Sequence, residues 1–429
     1  MGRALLLALV AAACGRTAPA PAQPPPNQIV VVVDTLRADA VTPDGAPFLA
    51  ALAERSVTAQ HGSRATSSWT RPSAGTIWTG LYPSAHGAVG RRDTLLPGPA
   101  TLPEMLRGAG YAACVAFVTN PNVASAYGFS RGWDDYFELY ERRDAGYVEQ
   151  EELITPASAV VDQVMGWLED TPPEPWLLLV FLIDPHAPYE GGLVPTAPGP
   201  GLREAYAADV RTTDAEIARL WSAVGEAGLG DSTALIVAAD HGEEFGEHAL
   251  WGHGQSLYGP AVDIPLMVSA PGERARRLAV PASLIDLVPT CRDLAGLPPD
   301  PSLPGRSMLG LAAGSKERGL ITELDIEAWT SNDRFRSLSL ERGGFKAVWY
   351  PDLRRRDQRP AVELFDLAAD PGEARNLAGE PAHAARVQSM VGELRAHRAS
   401  AADRIGAGPA SPAILRTLEA LGYAAKEQD

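Results

Sequence analysis

A chain of 429 residues exceeds the length at which one simple hydrophobic core stops growing, so a large α/β domain with a smaller appendage is the expected arrangement. Apolar residues at 45% and charged residues at 21% are ordinary for a globular protein, and no apolar run approaches the roughly 20 residues of a membrane span. A formal net charge of −16 argues against nucleic acid as a partner, because affinity for phosphate backbones needs clustered Lys and Arg.

The chain opens with one positive charge at Arg3, an apolar stretch from Ala4 to Ala13, and then Cys14, the pattern of an export signal over residues 1–14. Val10-Ala11-Ala12-Ala13-Cys14 resembles a bacterial lipobox, in which the cysteine becomes a lipidated N-terminus, although Ala11 stands where leucine is usual. Ala11-x-Ala13 also fits cleavage after Ala13 by the general signal peptidase. Either route exports the protein. Lipidation at Cys14, the preferred reading, predicts a periplasmic or outer-membrane-anchored lipoprotein that meets the membrane only through its N-terminal anchor. Residues 15–27 are rich in Ala and Pro, too poor in large apolar groups to fold, and read as an extended tether.

Three short apolar runs each lead to an aspartate: residues 29–33 before Asp34, 177–183 before Asp184, and 234–239 before Asp240. Such continuous runs suit strands buried on both faces of a parallel sheet, whose carboxyl ends share the edge where ligands bind. The three acids are therefore placed to share one cleft. Residues 47–53 and 101–109 read as helices, and residues 112–118 as another strand. Ile217, Leu220, Trp221 and Val224 follow helical spacing, with Gly228 as a stop. Strand alternating with helix predicts an α/β sandwich over residues 28–315. Beyond it, strand-like segments at 336–340 and 344–350, an acidic turn at 370–373 and a helix over 382–397 predict a small α+β subdomain with an antiparallel sheet over 316–400, followed by a tail over 401–429. Arg354 to Arg356 read as a solvated hairpin tip, and Cys114 and Cys291, in apolar contexts, as buried free thiols.

Asp34, Asp240 and His241 form a set of hard to borderline ligands suited to Mn, Ca, Mg or Zn. Taken singly, each strand end reads as well as an aspartate capping a turn beside a core histidine. In the segment from Ser67 to Gly80, Pro72 suits the first turn of a helix and places Thr70 at its mouth, where free amide groups stabilise an anion. A hydroxyl held there against a divalent metal would attack phosphorus or sulfur; on local sequence, Thr70 serves equally as a helix cap.

Thr70-Arg71-Pro72-Ser73-Ala74, running through Thr79-Gly80-Leu81-Tyr82-Pro83 to Gly87, resembles the signature of the sulfatase family of the alkaline phosphatase superfamily, Cys-x-Pro-x-Arg followed by Thr-Gly and Pro. Asp34-Thr35-Leu36-Arg37, Asp184-Pro185-His186 and Asp240-His241-Gly242-Glu243, the last running on to Trp251-Gly252-His253, look like further family motifs in the same order. The resemblance implies an alkaline-phosphatase-like sandwich with a large mostly parallel sheet flanked by helices. It implies that Asp34, Thr70, Asp240 and His241 bind one divalent ion and that Thr70 is the nucleophile. His186 and His253 would hold the transferring anion or protonate the leaving group, with Asn120 as another anion contact. A second ion is left open, because its acid and histidines are not assignable among Asp184, His186, His248 and His253. His248 is read as packing, and His61 and His86 as structural.

Thr70 and Ala74 stand where sulfatases carry the cysteine that becomes formylglycine and the arginine that marks it for oxidation. A secondary alcohol cannot become an aldehyde, so the hydrated-aldehyde mechanism is closed to it. The lysine of the family near Val118 is absent, and His253 stands where another is usual. The expectation is therefore a covalent phosphothreonine, as in the nucleotide pyrophosphatases of the superfamily, and a hydrolase that prefers phosphoesters or phosphodiesters to sulfate esters. Its substrate would be a small-molecule or envelope glycan or lipid ester. Two other readings stand beside it: a transferase moving a phosphoryl-linked head group onto a cell-envelope acceptor, and a non-catalytic envelope lipoprotein with a degenerate site.

Overall fold

The computed structural model describes residues 24–59, 62–140, 155–189, 201–311, 315–327, 334–351 and 360–402. The export signal with Cys14, most of the tether, His61, Arg354 to Arg356 and all but the start of the predicted tail lie outside the described residues.

Strands β1 (Asn27–Val33), β2 (Val57–Ala59), β3 (Ala113–Val118), β4 (Asp135–Glu138), β5 (Trp176–Leu182), β6 (Thr233–Ala239), β7 (Leu266–Ser269) and β8 (Arg276–Leu278) form one sheet in the order β8-β2-β7-β6-β1-β5-β3-β4. β1 begins at Asn27, one residue inside the segment read as tether. The three apolar runs become its centre: β1 lies between β5 and β6, parallel to both, and every residue of the three is buried. Parallel pairing continues through β3 and β4, whereas β7 runs antiparallel to β6 and β2. The sheet is thus mostly parallel, as expected of strands covered on both faces. Helices α1 (Pro47–Glu54), α2 (Thr70–Thr79), α3 (Leu102–Gly108), α4 (Ala157–Glu169), α5 (Leu202–Glu226) and α6 (Leu287–Leu294) flank it. α1, α4 and α5 pack together as one group, and α2, α3 and α6 as another. Among the described residues no helix is long and apolar enough to cross a membrane.

All ten residues of α2 are buried, although half of them are polar or charged, because each polar group finds a partner inside the turn or beside it. Thr79 Oγ1 donates to the Gly75 carbonyl at 2.7 Å and Ser73 Oγ to that of Ser67 at 3.0 Å. His86 packs against this helix; its Nε2 donates to the Pro72 carbonyl at 3.0 Å, its Nδ1 accepts from the Ala88 N–H, and burial holds its pKa down to about 3. Its structural reading agrees with this placement. A Cβ at Gly75 would stand 2.3 Å from His86 Cε1. Gly to Ala inside a helix ordinarily stabilises by about 1 kcal/mol. Here the clash reverses the sign: Gly75→Ala is expected to lower stability by about 1–3 kcal/mol in urea unfolding. An unchanged or higher midpoint would show that the imidazole yields freely.

Strands β9 (Leu320–Glu327), β10 (Arg334–Arg342), β11 (Phe345–Trp349) and β12 (Val362–Asp366) make an antiparallel meander, against which helix α7 (Ala384–Ala402) packs through Met390 and Leu394. The sequence marks only the middle two of these strands. Ion pairs tie this sheet to the main body: Arg64 with Glu341 at 2.6 Å, and buried Lys346 with Glu373 at 2.7 Å, whose carboxylate also accepts the Gly259 N–H. His248 stacks on Tyr258 and donates through Nε2 to the carbonyls of Gly372 and Glu373, so it packs, as read. Cys114 and Cys291 are free and buried, also as read.

Candidate active site

Strand register decides which acids meet. Val33 lies opposite Leu182 on β5 and Ala239 on β6, so Asp34 and Asp240 each take the first position past a strand, at one level. β5 is followed by Ile183 before Asp184, one residue further, and the twofold alternation of extended chain sends that side chain to the other face. There Asp184 Oδ1 accepts the Ala157 N–H at 2.8 Å, heading α4, whose N-cap residue Pro156 supplies no side-chain cap. The expected three-acid cleft is corrected to two acids; Asp184 is a remote helix cap, its carboxyl pushed up to about 6 by burial.

The two remaining acids are fully buried, and each has one satisfied oxygen. Asp34 Oδ2 accepts from Asn120 Nδ2 at 2.5 Å; Asp240 Oδ1 accepts the backbone N–H of His241 at 2.8 Å and of Thr35 at 3.3 Å. His241 Nδ1 lies 2.8 Å from the Gly242 carbonyl, which only accepts, so Nδ1 carries the proton and Nε2 presents a lone pair. The backbone behind it is held close: a Cβ at Gly242 would stand 2.1 Å from the Pro260 carbonyl oxygen. Left over are Asp34 Oδ1 and Asp240 Oδ2, which receive no hydrogen bond, and His241 Nε2, 3.6 and 3.4 Å from them.

The three ligand atoms lie within 4.8 Å of one another, fully buried. Burial raises the Asp34 carboxyl against the pull of His186 and His253; burial, then the facing Asp34 charge, raises Asp240 further; burial holds His241 neutral. Electron-rich atoms confronting one another out of water are the mark of a cation site, and this donor set fits one divalent ion. Among the described residues it is the single grouping of its kind. With Asp184 turned away and His248 engaged by carbonyls, two of the residues considered for a second ion lie elsewhere.

Thr70 Oγ1 lies 3.3 Å from His241 Nε2 and 3.5 Å from Asn120 Nδ2, at 1% exposure. It is the first residue of α2; the N-cap is Trp69, and no side chain caps this helix, so the hydroxyl is turned to the cluster rather than spent as a cap. The helix begins one position earlier than Pro72 suggested, which sets Thr70 inside the first turn. Ala74 is buried in the same helix, and the Arg71 guanidinium is turned to the carbonyls of Gly90 and Asn122 and laid over the Tyr127 ring.

His253 sits between His241 and His186, with ring centroids 4.5 and 5.1 Å away, so three imidazoles line the cleft. His186 Nδ1 donates to the Ala187 carbonyl at 2.6 Å, and His253 Nδ1 to Glu243 Oε1 at 2.9 Å. Burial alone would lower His253; the surrounding carboxylates, Glu243 foremost with Asp34 and Glu244, together raise its pKa above the ordinary histidine value. Glu243 Oε2 in turn accepts from Tyr189 Oη at 2.8 Å. The sequence reading assigned neither Glu243 nor Tyr189 a function. A signal was present: in the hairpin where Glu244 pairs with Gly252 and Phe245 with Trp251, one further step sets Glu243 opposite His253.

A mostly parallel sandwich with an Asp-Asp-His cluster at its strand ends, beside a hydroxyl at a helix mouth, is an alkaline-phosphatase-like architecture. The sulfatase family model matches residues 26–297, and the chain belongs to that family; residues 246–400 match the C-terminal model of N-sulphoglucosamine sulphohydrolase. Mouse arylsulfatase K (Mus musculus) is 32% identical over 187 residues, which cover 42% of this chain and 33% of that protein, so the chain spans about a third of that relative's length. Choline-sulfatase of Rhizobium meliloti (strain 1021) is 25% identical over 437 residues, 83% of each chain. The structure of the phosphonate monoester hydrolase from Silicibacter pomeroyi has the same fold, with a TM-score of 0.69 at 22% identity over 87% of this chain and 95% of that one. Proteins of the sulfatase family bind a divalent metal, and the Asp34, Asp240 and His241 cluster fits one.

Proposed function

We propose that the enzyme is a metal-dependent hydrolase of phosphoesters, phosphodiesters foremost, in which Thr70 replaces the formylglycine residue of true sulfatases. Asp34, Asp240, His241 and Thr70 would hold one divalent ion, Ca, Mn, Mg or Zn. The observation that carries this reading is the convergence of two buried carboxylate oxygens that receive no hydrogen bond, Asp34 Oδ1 and Asp240 Oδ2, with His241 Nε2, which lies 3.3 Å from the Thr70 hydroxyl. When bound, the ion would neutralise the carboxylates and favour the ionised form of the hydroxyl.

Thr70 Oγ1 then bonds to phosphorus as the leaving oxygen departs, and water displaces Thr70 in a second step. Asn120, on Asp34 and within 3.5 Å of Thr70, is placed to donate to the transferring anion. His186 and His253, each with Nδ1 engaged, present Nε2 to the cleft, where one protonates the leaving oxygen. Phosphorus suits this sequence better than sulfur, because a sulfated threonine has no aldehyde hydrate to eliminate from and must await attack at sulfur. Choline-sulfatase and the phosphonate monoester hydrolase make sulfate and phosphonate esters the necessary comparisons. We place the enzyme outside the cytoplasm, tethered at Cys14, on the character of residues 1–14.

The test is a screen of the purified protein against aryl phosphates, phosphodiesters, phosphonates and sulfates with each added divalent ion, with Thr70→Ala as the blank. Metal-dependent phosphodiesterase activity absent from the blank is the expected result. Sulfatase activity that survives in the blank would mean that the nucleophile lies elsewhere.

A further inference from the structure

We propose that Glu243 is a positioning residue of this site: it fixes the ring of His253 so that Nε2 meets the leaving-group oxygen. The inference rests on the reading of His253 as a leaving-group proton donor and extends it to a residue with no assigned role. Glu243 is fully buried and held on four sides. Oε1 accepts from His253 Nδ1 at 2.9 Å, Oε2 from Tyr189 Oη at 2.8 Å, and the carbonyl from Arg37 Nη1 at 2.8 Å, while the N–H donates to the Pro260 carbonyl at 2.9 Å.

A carboxylate held so has one orientation, and the imidazole it grips, seated between two others, has one as well. With Nδ1–H committed to Glu243, Nε2 is the only nitrogen left to face the cleft. Tyr189 follows His186 by three residues, so one hydrogen-bond chain links both imidazole-bearing segments. Loss of such outer support at metal sites typically lowers activity about 10–100-fold. Here the loss should fall on the step in which the departing oxygen gains its proton.

The experiment uses the full chain, saturated with the divalent ion that supports turnover, and two phosphodiesters, one with a 4-nitrophenolate leaving group and one with an alkyl alcohol. Glu243→Ala is expected to lower kcat about 10–100-fold on the alkyl ester and far less on the nitrophenyl ester, which departs without a proton, with KM little changed. In a His253→Ala background the same substitution should add no further loss, since both act through one ring. Glu243→Gln, which keeps an acceptor for Nδ1–H, should restore most of the alkyl-ester rate. Equal losses on both esters, or losses that multiply in the double variant, overturn the proposal. Should Glu243→Ala fail to fold, Glu243→Gln decides, because an equal large loss on both esters again overturns it. Thr70→Ala in the same assay keeps the failures apart: phosphodiesterase activity that persists there removes the underlying reading, whereas its absence beside a multiplicative double variant removes this inference alone.

Discussion

Thr70→Ala is expected to lower kcat on a phosphodiester by at least about 10³-fold, a barrier increase of about 4 kcal/mol, while the protein stays folded. The two halves of that expectation have separate causes. Under the proposed reading, the nucleophilic oxygen is lost outright. The fold survives because Thr70 Oγ1 caps nothing and its two contacts, at 3.3 and 3.5 Å, are at the long limit of hydrogen bonding, while alanine is the better helix former. Unfolding free energy should therefore change by less than about 1 kcal/mol. Thr70→Ser keeps an alcohol at the same atom and should retain measurable turnover. Acid quenching during turnover of a slow diester, followed by peptide mass analysis, should find the phosphoryl group on the peptide containing residue 70 in wild type and on no peptide of the alanine variant. An alanine variant within about tenfold of wild type, roughly 1.4 kcal/mol, would remove Thr70 from the chemistry.

How far the sequence foretold this site depends on how local each signal is. β1 and β6 each give way to aspartate at the next residue, and since both pair with a common parallel register, Asp34 and Asp240 had to emerge together. Asp184 looked equivalent in composition, but the interposed Ile183 changes which face its side chain takes, and a hydrophobic run alone does not state where a strand stops. The helix mouth at Thr70 was legible from Pro72; that Trp69, not Thr70, occupies the cap position was not, because several residue types tolerate that backbone. In the C-terminal sheet, β10 and β11 carry alternation and a Gly343-Gly344 turn, whereas the flanking β9 and β12 are recognisable only once paired. Glu243 was hidden for a related reason. Its partner His253 is ten residues away across a hairpin of two-residue strands, too short to show a period.

Removing the divalent ion is expected to destabilise the wild-type protein, and Asp34→Asn is expected to invert that response. An ion at about 100 times its dissociation constant would stabilise the folded state by about 2.7 kcal/mol, so chelation should lower the melting temperature and re-addition restore it. The reason lies in the facing acceptors: Asp34 Oδ1 and Asp240 Oδ2 receive no hydrogen bond out of reach of water, and the His241 Nε2 lone pair confronts them at 3.6 and 3.4 Å. In Asp34→Asn the side-chain oxygen can keep the bond from Asn120, while the new amide hydrogens point at the Asp240 carboxylate and the His241 lone pair. One substitution thus relieves the repulsion and supplies the missing donor, for about 1–3 kcal/mol of stabilisation in the chelated protein. The same change removes a charged ligand, so the variant should show neither catalysis nor a thermal shift with added ion. Melting curves of both proteins, with chelator and with each cation, check the crossing: the variant is more stable than wild type when stripped, and its advantage vanishes or reverses when wild type is loaded. A variant less stable than wild type in chelator would mean that the carboxylates are satisfied without an ion, and the site would lose its claim to bind one.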